Sequence, residues 1–132
     1  MPVTALVVDD SAAARQIIGY HLRQAGCTIV GEAANAADAL KLERELKPNI
    51  VSLDLIMPTK DDLDSLALVR KIKKEAPDLA IIVVSVMPSE KIRHDYIDEG
   101  VFAYIVKPFN DYALDTIRLK LRRTFPELAA VK

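Results

Sequence analysis

A chain of 132 residues fits one globular domain with little room for a second, so residues 1–132 read as a single unit. Hydrophobic residues at 51% and charged residues at 28% exclude a disordered tail, a collagen-like repeat and a disulfide scaffold. Eighteen basic against nineteen acidic residues give a net charge of −1, which excludes a global field for nucleic acid or an anionic membrane. The single cysteine, Cys27, fits a reducing compartment. The apolar run after Met1 has no basic flank and ends in Asp9-Asp10, and the longest apolar stretch, 79–84, falls far short of the ~20 residues that span a bilayer. The expected location is the cytoplasm.

Residues 5–8 open the chain as a continuous Ala-Leu-Val-Val strand, without the period-two alternation of a half-exposed one. Ile17, Ile18, His21, Leu22 and Ala25 then share one face of a helix that stops at Gly26. A second strand is expected at 28–30, ending in Gly31-Glu32 at a sheet edge. A second helix follows with Ala37, Leu40 and Leu46 inward, closed by Lys47-Pro48. A third strand at 50–53 leads to a helix marked by Leu63, Leu66, Val69, Ile72 and Ala76 and ended by Pro77. A fourth strand at 79–84 precedes a helix opened by Pro88 and closed at Gly100. The fifth strand, 101–106, precedes a helix carrying Leu114, Ile117, Leu121 and Phe125 that runs almost to the last residue. Five βα units in series predict an α/β domain with a doubly wound parallel sheet and right-handed crossovers.

Charge is uneven along the chain: residues 1–66 hold six Lys/Arg and ten Asp/Glu, and residues 67–132 hold twelve and nine. The basic excess lies in Arg70, Lys71, Lys73 and Lys74 and in Arg118, Lys120, Arg122 and Arg123, read chiefly as solvated helix faces and otherwise as a docking surface for an acidic partner.

Open α/β sheets bind ligands beyond the carboxyl ends of their strands. Here the first strand ends in Asp9-Asp10, the third in Asp54, the fourth in Ser85 and the fifth in Lys107-Pro108. Three carboxylates at one edge repel one another, at about 3–4 kcal/mol for a pair ~4–5 Å apart in a medium of effective dielectric ~20. A shared cation, or a proton kept on one of the acids, relieves that, and Mg²⁺ suits carboxylate oxygens. Metal, ammonium and hydroxyl together frame a phosphoryl site, in which Asp54 is the candidate nucleophile, Asp9 and Asp10 hold the metal, and Ser85 and Lys107 contact phosphoryl oxygens. Each residue alone has a structural reading as well. Asp10 or Ser11 caps the first helix, Asp54 caps a turn, Ser85 is a strand-end hydroxyl and Lys107 a snorkelling lysine.

The runs Val7-Val8-Asp9-Asp10-Ser11, Asp54-Leu55-Ile56-Met57-Pro58, Val83-Val84-Ser85 and Tyr104-Ile105-Val106-Lys107-Pro108-Phe109 resemble, in that order and over essentially the whole chain, the receiver domain of two-component response regulators. The resemblance implies a five-stranded flavodoxin-like sheet of order 2-1-3-4-5 between two helical layers. It implies that Asp54 accepts a phosphoryl group from a histidine kinase, a phosphotransfer protein or a small donor. Mg²⁺ would be held by Asp10 and Asp54 directly, by Asp9 through water and by the Ile56 carbonyl. Ser85 and Tyr104 would form a switch pair, with Lys107 on the phosphoryl group. The implied output is a rearrangement of the fourth helix, fifth strand and fifth helix, read by a downstream effector at a surface including Lys91, His94, Tyr104 and Tyr112, with homodimerisation through the same face left open. His94 itself reads as a solvent-facing helix residue rather than a catalytic one.

Some positions depart from the family pattern. Asp62 stands where many receivers carry glycine, and Val86 where a small residue is usual. Ile56 and Met87 flank the expected path of the hydrolytic water with apolar groups, which implies slow self-dephosphorylation. The main competing function is a pseudo-receiver, the same fold serving only as a binding or dimerisation module. A metal-dependent phosphatase is disfavoured, because the first strand ends Asp9-Asp10-Ser11 rather than Asp-x-Asp. Nucleotide binding is disfavoured because no glycine-rich loop follows a strand. No segment for direct DNA binding is evident.

Overall fold

The computed structural model describes residues 2–55, 65–85, 89–107 and 111–130, with side chains at all of these except 111–114, 129 and 130. The elements run β1 (Thr4–Val8), α1 (Ala12–Gln24), β2 (Thr28–Ala33), α2 (Ala36–Leu46), β3 (Ile50–Asp54), α3 (Ser65–Glu75), β4 (Ala80–Ser85), α4 (Glu90–Asp98), β5 (Ala103–Val106) and α5 (Asp111–Thr124), followed by a 3₁₀ turn at Pro126–Ala130. All strand pairs are parallel and the order is β2-β1-β3-β4-β5. The α/β reading and its 2-1-3-4-5 order therefore hold.

Both faces of the sheet are covered, which is why its strands are continuously apolar. Leu6, Val8, Val51, Leu53, Ile81 and Val83 pack under α2, α3 and α4. Ala5, Val7, Ile50, Ile82, Val84 and Ile105 pack under α1 and α5. Every residue of β3 and β4 is buried, as befits the middle of the sheet. At the helix starts, Ser11, Asn35 and Ser89 each accept a hydrogen bond from an amide three residues on.

Several expected details shift. β2 continues through Gly31 and Glu32 to Ala33, because the β1–β2 register slips between Ala5 and Leu6 and brings Gly31 opposite Leu6. A Cβ on Gly31 would lie 3.0 Å from Leu46 Cδ1 and 3.3 Å from Leu6 Cδ1, so the missing side chain makes room for the end of α2. β4 and β5 start later than expected, at Ala80 and Ala103. On α1 the inward residues are Ile18, Gly19 and Leu22, while Ile17 is 51% exposed. On α2 they are Ala36, Ala39, Leu40 and Glu43, with Ala37 turned outward and Leu46 39% exposed while its Cδ1 covers Gly31. Both errors come from giving every apolar side chain to the core, although folded surfaces keep many. α2 closes on Lys47 in the left-handed region, at φ 48°, just before the buried Pro48. α5 ends at Thr124, and Phe125 lies beyond it. Pro88 and Leu63 fall outside the described residues, as does the side chain of Leu114.

Leu53 is fully buried at the centre of the sheet, so Leu53→Ala should cost about 2–5 kcal/mol in urea unfolding. Burial pushes the Cys27 thiol up to about 11. An aromatic disulfide reagent at pH 8 should leave native Cys27 unmodified and react once the chain is unfolded. The unfolded thiol ionises earlier, so the stabilisation from this residue is complete below the thiol's ordinary value and is lost as pH rises through about 11.

Candidate functional site

Parallel register sets the site. Val8 pairs with Leu53 and Asp54 with Val84, so Asp9 and Asp54 leave neighbouring strands side by side at the carboxyl edge. Ser85 closes β4, and its carbonyl accepts a hydrogen bond from the Lys107 amide at 2.6 Å, carrying the β4–β5 pairing on to Lys107. Asp9, Asp54 and Ser85 are buried, whereas Asp10 is exposed. Ser11 caps α1, accepting from the Ala14 amide at 3.2 Å, which decides the capping alternative and leaves the Asp10 carboxylate to the cluster.

Each of Asp9, Asp10 and Asp54 offers a carboxylate oxygen, and the three lie within 4.8 Å of one another. Lys107 Nζ sits 2.7 Å from Asp9 Oδ2 and 3.9 Å from Asp54 Oδ2, one ammonium shared by two buried acids. The other oxygen of Asp9, Oδ1, accepts the Ser11 amide at 2.9 Å. Ser85 is hydrogen-bonded to the Tyr104 side chain. Burial holds the Tyr104 phenol above its ordinary value, and the bond to Ser85 offsets part of that. The Tyr104 ring also lies 6.4 Å from Tyr96 of α4, which joins the site to that helix.

Arg15 is a site residue the sequence reading passed over. Its Nη1 donates to the Asp9 carbonyl at 2.6 Å and its Nε pairs with Glu32 at 3.0 Å, tying α1 and β2 to the loop after β1. A signal existed: a cation in the first turn of a helix opposes the macrodipole and implies a partner elsewhere. Ser65 at the start of α3 also reaches the site's rim, donating from Oγ to the Leu55 carbonyl at 2.9 Å.

The donor set fits a hard divalent cation. Two oxygens bound to one Mg²⁺ at about 2.1 Å are at most about 4.2 Å apart. Three carboxylate oxygens within 4.8 Å need little contraction to reach that spacing.

The family model of the response regulator receiver domain matches residues 5–118. The chain belongs to the response regulator receiver family. It is 36% identical over 104 residues to the chemotaxis protein CheY of Thermotoga maritima, covering 79% of this chain and 84% of that one. It is 35% identical over 117 residues to CheY of Bacillus subtilis, covering 88% and 95%. In fold it is similar to the REC domain of AraT, a response regulator from Geobacillus stearothermophilus, with a TM-score of 0.83 at 23% identity over 96% of this chain and 98% of that one. A CheX-CheY-BeF3-Mg+2 complex from Borrelia burgdorferi gives a TM-score of 0.78 at 24% identity over 95% and 90%. Receiver domains bind Mg²⁺ at an acidic pocket, and Asp9, Asp10 and Asp54 form such a cluster here.

Of the residues named from sequence, Asp9, Asp10, Asp54, Ser85, Tyr104 and Lys107 converge. Ile56, Asp62, Val86, Met87 and Pro108 lie outside the described residues, as does the side chain of Tyr112. His94 is exposed and 3.8 Å from Asp98 on its own helix, as a solvent-facing residue should be. Arg118 departs from its expected solvated face and turns toward His21, because its position on α5 borders the α1 side of the core.

Asp54→Asn should raise the melting temperature in chelator, since it removes one of the crowded carboxylates, and Lys107→Met should lower it by stripping the shared ammonium. Mg²⁺ at about 100 times its Kd should stabilise the parent by about 2.7 kcal/mol, and Asp10→Ala should lose most of that gain.

Proposed function

We propose that this receiver is a phosphorylation-dependent switch, with Asp54 as phosphoacceptor and the face formed by α4, β5 and α5 as output. One observation carries the proposal: Asp9, Asp10 and Asp54 within 4.8 Å, with Lys107 bonded to the first and close to the last. An Asp54 carboxylate oxygen attacks phosphorus in the donor. The bond from phosphorus to the donor's nitrogen or oxygen breaks, the leaving group keeps the electron pair, and an acyl phosphate remains. Water attack on phosphorus later returns the carboxylate and inorganic phosphate.

Mg²⁺ would be held by Asp10 and Asp54, with Asp9 and the Ile56 carbonyl in support, and would supply neutralisation of the charge on the transferring group. The Lys107 ammonium, already between two carboxylates, contacts a phosphoryl oxygen and aligns it. The Ser85 hydroxyl donates to another.

The switch follows from the Ser85–Tyr104 bond. A phosphoryl oxygen competes for the Ser85 hydroxyl, Tyr104 loses that partner, and its ring repacks toward the interior beside Tyr96 of α4. Moving a two-state balance from 1:99 to 99:1 needs about 5.5 kcal/mol of differential stabilisation. Two or three charge-assisted bonds at about 1.5–3 kcal/mol each supply about 3–9 kcal/mol, much of that need. The donor is a sensor histidine kinase, a phosphotransfer protein or a small acyl phosphate, the readout a downstream effector or a second receiver, and the setting the cytoplasm. No helix among the described residues is long and apolar enough to cross a membrane.

Intact mass after incubation with acetyl phosphate and Mg²⁺ tests the chemistry. The expected result is one added phosphoryl group, absent in Asp54→Asn and in chelator. No adduct and no Mg²⁺-induced stabilisation would establish a pseudo-receiver instead.

A further inference from the structure

The three acids of the cluster are not held alike. Asp9 is fastened by Lys107 and by the Ser11 amide, and Asp54 lies buried at the end of β3. Asp10 is exposed, and among the described residues no hydrogen bond or ion pair holds its carboxylate. Its direction is therefore left to the backbone that carries it.

That backbone is tied on both sides of the Asp9 Cα. The Asp9 N–H donates to the Ala33 carbonyl at 3.0 Å, and the Asp9 carbonyl accepts from Arg15 Nη1 at 2.6 Å. This carbonyl belongs to the planar unit that also contains the Asp10 amide, so fixing its oxygen fixes the plane from which Asp10 departs. Arg15 is itself steered. It stands in the first turn of α1, where the helix dipole disfavours a cation and no acid of that turn compensates it. Its partner lies across on β2, where Glu32 Oε1 accepts from Nε at 3.0 Å. The planar guanidinium reaches a carboxylate with one nitrogen and a carbonyl with another, a span that the single nitrogen of lysine does not provide.

We propose that Arg15, steered by Glu32, is a positioning residue for the metal site, holding the Asp9–Asp10 peptide in the plane that aims the Asp10 carboxylate at Mg²⁺. The inference rests on the reading of the acidic cluster as a Mg²⁺ site. Glu32, half-exposed at the far end of β2 and outside that cluster, then sets Mg²⁺ affinity without touching the ion. Charge and geometry make opposite demands on Arg15. A guanidinium near a divalent cation repels it, so through its field alone Arg15 would weaken binding, and its removal would tighten it. Through positioning, its removal loosens binding.

Calorimetric titration of the full chain with Mg²⁺ distinguishes the two. Arg15→Met should raise the Kd about tenfold, the size of effect that outer partners of metal ligands have. Arg15→Lys should recover only part of that loss. Glu32→Gln, a surface change that keeps the fold, should raise the Kd about threefold. A carboxylate's own field also favours the metal, so Glu32→Gln is repeated in the Arg15→Met background, where it should cost almost nothing further. Circular dichroism in chelator identifies the folded variants, and Glu32→Gln against the parent decides the matter if Arg15→Met does not fold. Mg²⁺ binding unchanged or tighter in a folded Arg15→Met, unchanged in Glu32→Gln, or fully recovered in Arg15→Lys would overturn the proposal, as would the same loss from Glu32→Gln with and without Arg15. A parent chain that binds no Mg²⁺ would overturn the metal site itself, and the positioning role with it.

Discussion

The architecture turns on two carboxylates, Asp9 and Asp54, buried side by side at the ends of adjacent strands. Like charges in that position are tolerated when positive charge sits among them or one acid keeps its proton. Lys107 supplies it from the end of β5, 2.7 Å from one acid and 3.9 Å from the other, across 98 residues of chain. The ammonium thus ties the central strands to an edge strand. Any change in charge at Asp54 alters what holds β5 in place, and β5 carries Tyr104.

On the proposed function, the same arrangement carries a local event to a surface. Ser85 ends β4, Tyr104 lies on β5, and Tyr104 neighbours Tyr96 on α4. Two contacts, Ser85 to Tyr104 and Tyr104 to Tyr96, lead from a buried hydroxyl to α4. β3 and β4 are buried throughout and cannot deform gradually, so a switch here has to be a choice between discrete side-chain packings. Tyr104, half-buried with its hydroxyl bonded to Ser85, is placed to make that choice.

Much of this was legible in the sequence because two periods rarely coexist by accident. Continuous Val/Ile runs separated by helical faces leave few alternatives to a parallel sheet, and the residue after each run then falls at a known edge. Asp9, Asp54, Ser85 and Lys107 followed from that rule alone, and Tyr104 from resemblance. What failed was finer. Ile17 and Ala37 were placed inside, since hydropathy cannot say which of several apolar residues on a helix wins a limited core. The extension of β2 through Gly31 depends on Leu46 covering it, a contact between elements that no local window contains. Arg15 was passed over and Arg118 was read as solvated charge, yet both turn toward partners on other elements. Long basic side chains choose partners after the fold is formed, so their roles are tertiary facts.

The relay from Asp54 through Ser85 to Tyr104 can be observed directly from the tyrosine ring. Spectra of the chain with ¹³C-labelled tyrosine, recorded with Mg²⁺ before and after addition of acetyl phosphate, should show the Tyr104 ring resonance move to a new position. In Ser85→Ala, phosphorylated to the same extent by mass, that movement should be lost. A Tyr104 resonance that stays put in the phosphorylated parent, or moves equally in Ser85→Ala, would rule out the Ser85–Tyr104 pair as the switch.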